Sequence, residues 1–474
     1  MVVGDVTTGT DVLVIGGGPG GYVAGIRAGQ LGLDVTLVEK EATRGGTCLN
    51  HGCVPSKALI AASDVAHRAG AAERMGIYAD PAVDLDGMTK WKDGIVRRLT
   101  KGVDHLLDKA GATVVEGRAA FDGPDEARIV HGGEGQGAET VAFEHAIVAT
   151  GSRPIELPGM DFDGEHVISS REALALDEVP DSLLIVGAGY IGMELATVFA
   201  KVGSDVTVVE MLEEALPIYE DDLAKPVRKR AEDLGVTFEF GQAAQGWEAP
   251  DDETVLVTTE DEDGEEHHHE AATCLVAVGR EPVTDTVDLE AAGIAVDEDT
   301  GAIPTDDRCR TDVDGIFAVG DVAGDPMLAH AAFREGEVAA EVIAGEPAAL
   351  DHQAVPAAVF TDPEVATVGM TEAEAAEAGF DPVVGQVQFM ANGRALSLDE
   401  KEGFVRIVGD DESGFVLGAQ IVGPEASELV HEATLAIEMG ATLEDVAGTI
   451  HVHPTLSEAV HEAAMSAHDQ PIHY

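Results

Sequence analysis

Residues 12–21 read Val-Leu-Val-Ile-Gly-Gly-Gly-Pro-Gly-Gly, a short apolar run that breaks into a glycine-rich turn. Residues 184–192 repeat this pattern as Leu-Ile-Val-Gly-Ala-Gly-Tyr-Ile-Gly, 171 positions later. The repeat continues, because Gly-Leu-Asp-Val-Thr-Leu-Val-Glu at 32–39 matches Gly-Ser-Asp-Val-Thr-Val-Val-Glu at 203–210. Each copy predicts a strand, a glycine turn, a helix of about a dozen residues and a second strand that ends in an acid. That order is a βαβ unit with a right-handed crossover on a parallel sheet.

The three glycines of each copy have separate roles. The first permits the tight turn, the second lets the backbone approach a pyrophosphate, and the third allows the helix and strand to pack closely. The helix N-terminus offers unpaired N–H groups to phosphate, and the acid, 18 residues after the third glycine, accepts hydrogen bonds from a ribose. Coincidental glycine turns are the alternative, but two matching copies favour two dinucleotide sites. Their residues are Gly16, Gly18, Gly21 and Glu39 in the first copy, and Gly187, Gly189, Gly192 and Glu210 in the second.

The residues around Glu210 indicate which nucleotide the second copy takes. Met211 and Leu212 follow Glu210, and no Arg or Lys is nearby. A ribose 2′-phosphate beside this carboxylate would be repelled and would find no cation. We therefore expect NAD rather than NADP at the second site.

A second repeated sequence pattern indicates where each nucleotide domain ends. Residues 146–154 (Ala-Ile-Val-Ala-Thr-Gly-Ser-Arg-Pro) resemble residues 274–282 (Cys-Leu-Val-Ala-Val-Gly-Arg-Glu-Pro), and both are buried-strand patterns closed by Gly and Pro. We infer that the second nucleotide domain is inserted within the first. Within it, residues 255–270 predict a hairpin with an acidic turn around Gly264, and the histidines at 267–269 are assigned to a solvated turn rather than a metal site.

The most specific stretch is Gly-Gly-Thr-Cys-Leu-Asn-His-Gly-Cys-Val-Pro-Ser-Lys at 45–57. Structural zinc usually has two residues between its cysteines and a second cysteine pair, whereas Cys48 and Cys53 are five positions apart, Cys274 lies in an apparent buried strand and Cys309 is isolated. Unpaired core thiols remain the other alternative. A redox-active disulfide between Cys48 and Cys53 fits the spacing better, because a helix N-terminus and a cation would stabilise a thiolate at Cys53. No metal is predicted.

Charge is the most unusual feature of the composition. The 474 residues carry a formal net charge of −61 from 28 Lys and Arg against 89 Asp and Glu. This balance argues against nucleic acid and anionic membrane surfaces as partners. The acids are scattered through the chain, which resembles the hydrated acidic shell of proteins from very saline cytoplasm, although a merely acidic protein is the alternative.

The N-terminus has no cation before Arg27 and no apolar run is long enough to span a membrane, so we expect a cytoplasmic protein.

The 45–57 motif together with both fingerprints resembles the class I pyridine nucleotide-disulfide oxidoreductases, and among them the dihydrolipoamide dehydrogenases. The resemblance covers essentially the whole chain, and a later family motif is present at 311–321. It implies an FAD site at the first fingerprint and an NAD site at the second. It also implies an ion pair between Lys57 and Glu194 beside the flavin. Further cofactor-binding residues by position are Lys57, Thr150, Gly151, Asp321, Ala329, Tyr190 and Gly279.

The C-terminal signature His-Val-His-Pro-Thr-Leu-Ser-Glu at 451–458 supplies an acid–base pair by the same resemblance. In the family, the histidine before proline, here His453, is the acid–base residue, and Glu458 orients it. Thiol chemistry near pH 7 needs a proton acceptor, and histidine titrates there. The family's base reaches across a two-fold interface, which implies an obligate homodimer. The resemblance also implies a cis bond before Pro454.

The implied fold class is α/β, with two Rossmann-like dinucleotide-binding domains and a C-terminal α+β dimerisation domain. The predicted boundaries are 1–150 (FAD-binding, with the redox disulfide), 151–279 (NAD-binding), 280–350 (a central, second FAD segment) and 351–474 (dimerisation). The implied activity is oxidation of protein-bound dihydrolipoamide with reduction of NAD+ to NADH. The partner would be a lipoylated carrier of a 2-oxoacid dehydrogenase or the glycine cleavage system.

Other functions fit less well. Glutathione or trypanothione reductase would use NADPH, which Glu210 disfavours, and mercuric reductase would have a C-terminal cysteine pair, which residues after Met465 lack. The family's soluble transhydrogenase lacks the redox cysteine. A redox-sensing or scaffold subunit that binds FAD without catalysis is the alternative of a different class. Two departures from the family pattern are His51, expected to fill space, and Tyr190, expected to shield the flavin until nicotinamide displaces it.

Overall fold

The glycine run at 16–21 lies at a strand-to-helix turn in this computed structural model, whose described residues are 7–132 and 137–473. Val12, Leu13 and Val14 in the preceding strand are fully buried, as expected for a parallel strand covered on both faces. Gly16 has φ of +108°, and a Cβ there would lie 2.2 Å from the carbonyl oxygen of Ala149. Only glycine fits this turn.

The first unit begins with the predicted βαβ arrangement. Its elements are β1 (Thr7–Ile15), α1 (Pro19–Gln30), β2 (Val35–Glu39), α2 (Gly46–Asn50), α3 (Cys53–Ala71), α4 (Leu85–Ala110), β3 (Thr113–Phe121), β4 (Glu126–His131), β5 (Ala138–Val148) and β6 (Ser152–Pro154). A 3-10 turn at Ala72–Met75 follows α3. β1 pairs in parallel with β2 and β5, β2 pairs in parallel with β3, and β4 joins β3 to β5 in antiparallel register.

The second unit repeats the arrangement. Its elements are β7 (Val167–Ile168), α5 (Ser170–Ala173), β8 (Ser182–Val186), α6 (Tyr190–Val202), β9 (Asp205–Glu210), α7 (Asp221–Asp233), β10 (Thr237–Phe240), β11 (Gln242–Asp251), β12 (Thr254–Asp261), β13 (Glu266–Ala271), β14 (Thr273–Val276) and β15 (Arg280–Pro282). A parallel sheet has the order β10-β9-β8-β14-β7, and β11, β12 and β13 form a separate antiparallel sheet. β15 pairs with β6, so two short strands join the units.

The chain then returns to the first unit through α8 (Leu289–Ala292), β16 (Ile316–Ala318), a 3-10 turn (Gly320–Ala323) and α9 (Ala329–Ile343). β16 pairs in parallel with the end of β5, at Ala146 to Val148. The second parallel sheet therefore lies between two segments of the first in the sequence, and the predicted insertion is present. The numerical domain boundaries stay predictions.

The third unit is an antiparallel sheet packed against helices. It contains β17 (Ala357–Val359), β18 (Glu364–Gly369), α10 (Glu372–Glu377), β19 (Pro382–Gln388), a 3-10 turn (Phe389–Ala391), α11 (Gly393–Leu398), β20 (Phe404–Asp410), β21 (Val416–Gly423), α12 (Ala426–Glu438), α13 (Leu443–Gly448) and α14 (Glu458–Ser466). The strand order is β17-β18-β21-β20-β19. One apolar core joins this sheet to α12 and α14, which gives the predicted α+β architecture.

The predicted hairpin at 255–270 is present as β12 and β13, with its turn between Asp261 and Glu266. The placement of the three histidines in a turn was wrong, because His267, His268 and His269 all lie within β13. The pairing of β12 with β13 extends through the histidines, so the turn contains only the acidic residues and Gly264. Within the described residues no cluster of His, Cys, Asp or Glu is arranged to hold a metal.

Candidate functional site

A deep cavity lies at the carboxyl end of the first parallel sheet and reaches α6 of the second unit. It encloses about 2010 Å³ of empty space, part of it open to solvent. The cavity brings together most residues predicted for the redox centre and the first nucleotide. Those in its lining are Gly16, Gly18, Glu39, Cys48, Cys53, Lys57, Thr150, Gly151, Tyr190, Glu194, Asp321 and Ala329.

Glu39 is fixed at one end of the cavity by the backbone. Its carboxylate accepts hydrogen bonds from the N–H of Gly17 at 2.7 Å and of Glu41 at 2.9 Å. A carboxylate oxygen has more than one acceptor site, so these bonds orient Glu39 and leave it able to accept ribose hydroxyls. Gly18 caps α1, and a Cβ there would have no neighbour nearer than 3.8 Å, which leaves room for a pyrophosphate. Gly21 packs α1 onto the turn, since its Cβ would lie 1.9 Å from the oxygen of Gly16.

The second fingerprint repeats this hydrogen-bond pattern residue for residue. Glu210 accepts from the N–H of Ala188 at 2.7 Å and of Leu212 at 2.9 Å, the counterparts of the two donors to Glu39. A Cβ on Gly192 would lie 2.0 Å from the oxygen of Gly187, whereas a Cβ on Gly189 would meet nothing within 4 Å. The open space at Gly189 leaves room for a second pyrophosphate. Gly187, Gly189, Gly192 and Glu210 lie outside the lining of the large cavity, so the second site is separate.

Gly279 lies where the second unit rejoins the first. It has φ of +131°, and its carbonyl accepts the N–H of Ile155 at 3.1 Å. Thr150 and Gly151 hold the other side of this junction. The hydroxyl of Thr150 donates to the carbonyl of Val283 at 2.6 Å, and the N–H of Val283 donates to Gly151 at 2.9 Å. Thr150, Gly151 and Val283 all line the cavity, so these bonds fix part of its wall.

Cys48 lies in α2 and Cys53 is the first residue of α3, and both are unbonded thiols. A hydrogen bond between the two thiols and the positive charge of Lys57 overcome burial and lower the pKa of Cys53 to about 7. The same hydrogen bond and burial raise the pKa of Cys48. Cys53 therefore loses its proton more readily than Cys48, and this asymmetry favours Cys53 as the leaving thiolate in disulfide exchange.

Lys57 and Glu194 form an ion pair between α3 and α6. The Nζ atom of Lys57 lies 2.9 and 2.8 Å from the two carboxylate oxygens of Glu194, whose side chain is only 5% exposed. The backbone N–H of Phe360 also donates to Glu194, at 2.9 Å. The predicted pair therefore joins helices of two different units. Its lysine, Lys57, lies one helical turn after Cys53 in α3.

Asp321 is held by two residues that were not predicted as part of the site. Ser152 donates a hydrogen bond to Asp321, and Arg280 donates to the hydroxyl and carbonyl of Ser152, both at 2.8 Å. Ser152 and Arg280 line the cavity. They lie in the repeated stretches Thr-Gly-Ser-Arg-Pro and Val-Gly-Arg-Glu-Pro, whose pattern indicated only the ends of domains. Ala329 is the first residue of α9, whose N-terminal end faces the cavity.

The residues fit a flavin dinucleotide. Glu39 and the open face of Gly18 offer a ribose and pyrophosphate site, and Asp321 and the two cysteines line the same cavity. Cys53, whose pKa is lowered to about 7, and the cation of Lys57 line the same cavity, so a flavin held there would be supplied with an electron donor and a positive charge. The second fingerprint fits a second dinucleotide, and Tyr190, the first residue of α6, lines the large cavity.

His453 and Glu458 form a hydrogen-bonded pair in the third unit. The Nδ1 atom of His453 lies 2.8 Å from Glu458, and the N–H of Thr455 donates to the other carboxylate oxygen at 2.8 Å. Burial would raise the pKa of Glu458, but the Thr455 N–H and His453 hold it below its ordinary value. The bond before Pro454 is cis, as the resemblance implies. The side chain of His453 is 80% exposed and is absent from the lining of the cavity, so a single chain does not join this pair to the cysteines.

The expectation that His51 merely fills space was wrong. Its Nε2 atom lies 2.9 Å from Glu41, and this hydrogen bond, working against burial, lowers the pKa of Glu41 to about 2. Glu41 also lies 3.3 Å from Arg171. His51 therefore ties the loop between the cysteines to the segment that follows Glu39.

Comparison with known proteins agrees with this geometry. Residues 10–336 match the family model described as pyridine nucleotide-disulphide oxidoreductase, and residues 355–464 match the dimerisation domain of the same family. The chain belongs to the pyridine nucleotide-disulphide oxidoreductase family. The predicted family and fold class are confirmed.

Individual members of the family resemble the chain over its whole length. Dihydrolipoyl dehydrogenase 2 of Haloarcula marismortui is 67% identical, with 100% of both chains covered. The dihydrolipoyl dehydrogenase of Geobacillus stearothermophilus is 47% identical over 100% of this chain and 99% of its own. Among solved structures, LpdA from Mycobacterium tuberculosis superposes with a TM-score of 0.88 at 28% identity, covering 96% of this chain and 99% of that one.

Proposed function

We propose that this oxidoreductase oxidises dihydrolipoamide to lipoamide through a Cys48–Cys53 disulfide and FAD, and reduces NAD+ to NADH. One observation supports this most directly. Cys53, with its pKa lowered to about 7, shares one cavity with the Lys57–Glu194 pair and with the Gly18 and Glu39 nucleotide site. The dihydrolipoyl dehydrogenases that match the full chain at 60–67% identity support the same activity.

The two cofactors divide the electron transfer into local two-electron steps. FAD held at Gly18 and Glu39 would supply a two-electron acceptor for the cysteine pair, and NAD+ held at Gly189 and Glu210 would supply the final hydride acceptor. In the chain itself, one substrate thiolate attacks the sulfur of Cys48, the disulfide opens, and Cys53 leaves as a thiolate beside Lys57. The second substrate thiol then closes the lipoyl disulfide and releases Cys48. Two substrate S–H bonds become one S–S bond, and the enzyme holds the electron pair as a dithiol.

His453 is proposed as the base that removes the substrate proton, with Glu458 fixing the ring through its Nδ1 atom. Because His453 is exposed and lies outside the cavity of its own chain, we propose that it serves the cysteines of a second copy in a homodimer. The match to the family's dimerisation domain at 355–464 supports a dimer.

We propose NAD as the nicotinamide coenzyme because of Glu210. Its carboxylate is fixed by two backbone N–H groups at the ribose position, where it would repel a 2′-phosphate.

The proposed physiological substrate is a lipoylated carrier of a 2-oxoacid dehydrogenase or the glycine cleavage system in a saline cytoplasm. The net charge of −61 supports the saline setting. No helix in the described part of the chain is both long and apolar enough to cross a bilayer.

A substrate panel on the purified flavoprotein in molar KCl tests the proposal. Dihydrolipoamide with NAD+ should give steady NADH formation, whereas NADP+ should support a kcat/KM lower by about 100-fold, as expected when a charged group is left unpaired. Glutathione disulfide with NADPH should give no turnover. Comparable rates with both coenzymes would contradict the NAD assignment. Absence of dihydrolipoamide turnover with FAD bound would favour the redox-sensing or scaffold alternative.

A further inference from the structure

Helices α3 and α6 are joined by two ion pairs that are two helical turns apart, and we call these positions the upper and lower levels. The upper pair is Lys57 on α3 with Glu194 on α6. Seven residues further along both helices, Asp64 on α3 lies 2.6 Å from Lys201 on α6, so the signs are exchanged. Residues seven apart lie on the same helix face and about 10.5 Å along the axis. Asp64 and Lys201 therefore lie on the same helix faces as Lys57 and Glu194. Together with Asp362 and Arg230 they form what we call the lower cluster.

The third unit contacts both levels through one short segment, residues 360–362. At the upper level, the Phe360 N–H donates to Glu194 at 2.9 Å, and the Nζ atom of Lys57 lies 4.6 Å from the centroid of the Phe360 ring. At the lower level, Asp362 lies 2.7 Å from Lys201 and 3.2 Å from Arg230. The Lys201 side chain is only 3% exposed, so its two carboxylate partners are the groups that compensate its burial.

We propose that Asp362 is a positioning residue for the redox centre: the lower cluster anchors segment 360–362, and this segment holds the Lys57–Glu194 pair beside Cys53. The inference rests on the proposed function. A lysine ammonium keeps many rotamers unless its contacts restrict them. Here a carboxylate and an aromatic face restrict Lys57, and both contacts depend on where Phe360 lies.

Release of segment 360–362 changes the charges that Cys53 experiences. The titratable groups that face Cys53 are Cys48 on α2, Lys57 on α3, and Tyr190 and Glu194 on α6. Without the Phe360 N–H, Glu194 carries more uncompensated negative charge, and without the ring Lys57 is less firmly held. Both effects disfavour the Cys53 thiolate. The pH at which the thiolate forms should therefore rise.

The test measures the long-wavelength absorbance from the thiolate to the flavin in two-electron-reduced holoenzyme, from pH 5.5 to 9 in molar KCl. In Asp362→Asn the midpoint of this absorbance should rise by at least about 0.5 pH, a ~3-fold fall in the thiolate-to-thiol ratio at fixed pH. The matched control is Glu220→Gln, which neutralises one partner of a 2.9 Å ion pair with Arg406 between the second and third units; neither residue belongs to the upper pair or the lower cluster. Its midpoint should equal that of the unmodified enzyme.

A second variant keeps the inference testable if Asp362→Asn fails to fold. Phe360→Leu retains the backbone donor but removes the ring, and its midpoint should shift in the same direction by a smaller amount. Unchanged midpoints in the folded variants, with a normal absorbance in the unmodified enzyme, would overturn the positioning role alone. If the unmodified enzyme shows no such absorbance, the proposed sulfur-to-flavin chemistry fails, and the inference fails with it.

Discussion

At the scale of single residues, the environment of each cysteine decides its role. Cys274 is fully buried in β14, and burial raises its pKa to about 12, so it is an inert core thiol. Cys53 has the same functional group, but it starts a helix beside Lys57 and a second thiol, and its pKa falls to about 7. The chemistry follows from the position and not from the residue type.

Replacement of either redox cysteine should abolish lipoamide turnover. In Cys48→Ser the substrate has no sulfur to attack, and in Cys53→Ser no leaving thiolate forms, while FAD stays bound because neither change touches Glu39 or Gly18. Steady-state NADH formation and the flavin spectrum give the measurement. The matched control, Cys274→Ala, should keep turnover and lose about 1 kcal/mol of stability. Full activity in either serine variant would end the disulfide mechanism.

At the scale of elements, the two βαβ units show how a strand-to-helix turn becomes a nucleotide site. In both copies the third glycine touches the first, and the terminal acid accepts the N–H of the second residue of the turn. The copies differ in what surrounds them. The first turn opens into the large cavity, and Gly189 of the second turn faces space without a neighbour within 4 Å.

The variant Gly189→Ala separates folding from coenzyme binding. A Cβ at Gly189 meets no protein atom, and its φ of −70° suits alanine, so the melting temperature should stay within a few degrees. The methyl group would occupy the space for the pyrophosphate, and the KM for NADH should rise by at least about 10-fold, or ~1.4 kcal/mol of binding. A control at Gly102 in α4, Gly102→Ala, also has free space and should leave KM unchanged. Equal KM values in the two variants would place the pyrophosphate elsewhere.

At the scale of the whole molecule, His453 is separated from the cysteines of its own chain, which predicts that each active site is shared by two subunits. His453→Gln should lower kcat by about 100-fold or more, the usual effect of removing a general base. NADH binding should be unaffected, because His453 lies outside both nucleotide sites.

Mixed subunits test whether the base acts across the interface. Cys48→Ser and His453→Gln are each inactive alone, but a mixed dimer would join an intact cysteine pair to an intact His453 at one of its two sites. Random mixing after dissociation should restore about a quarter of the unmodified activity, since half of the dimers are mixed. No recovery after confirmed exchange would show that each chain uses its own histidine.

The net charge of −61 predicts that the stability of the whole molecule depends on salt concentration. Self-repulsion at low salt destabilises the compact state, and the screening length falls from about 30 Å at 0.01 M to about 3 Å at 1 M. The melting temperature of the holoenzyme should therefore rise by several degrees between dilute buffer and molar KCl. Measurement in molar sucrose controls for general stabilisation by an added solute. Equal melting temperatures in dilute buffer and KCl would show that the acidic surface needs no screening.

The sequence by itself determined the local features of this protein. Strand runs, glycine turns and terminal acids depend on neighbours within about 30 residues, so both nucleotide sites, the redox helix and the hairpin at 255–270 could be predicted. Short-range signals also explain the error at His267–His269, where polar residues in an exposed antiparallel strand resemble a turn.

Only the tertiary structure decided how distant groups meet. It placed Ser152 and Arg280 on Asp321, His51 on Glu41, and Phe360 and Asp362 on the α3–α6 face. These contacts join residues from 10 to more than 300 positions apart, and their partners are set by the packing of whole units. No periodicity in the chain encodes which side chains face each other across such an interface, because that depends on the relative position of complete sheets and helices.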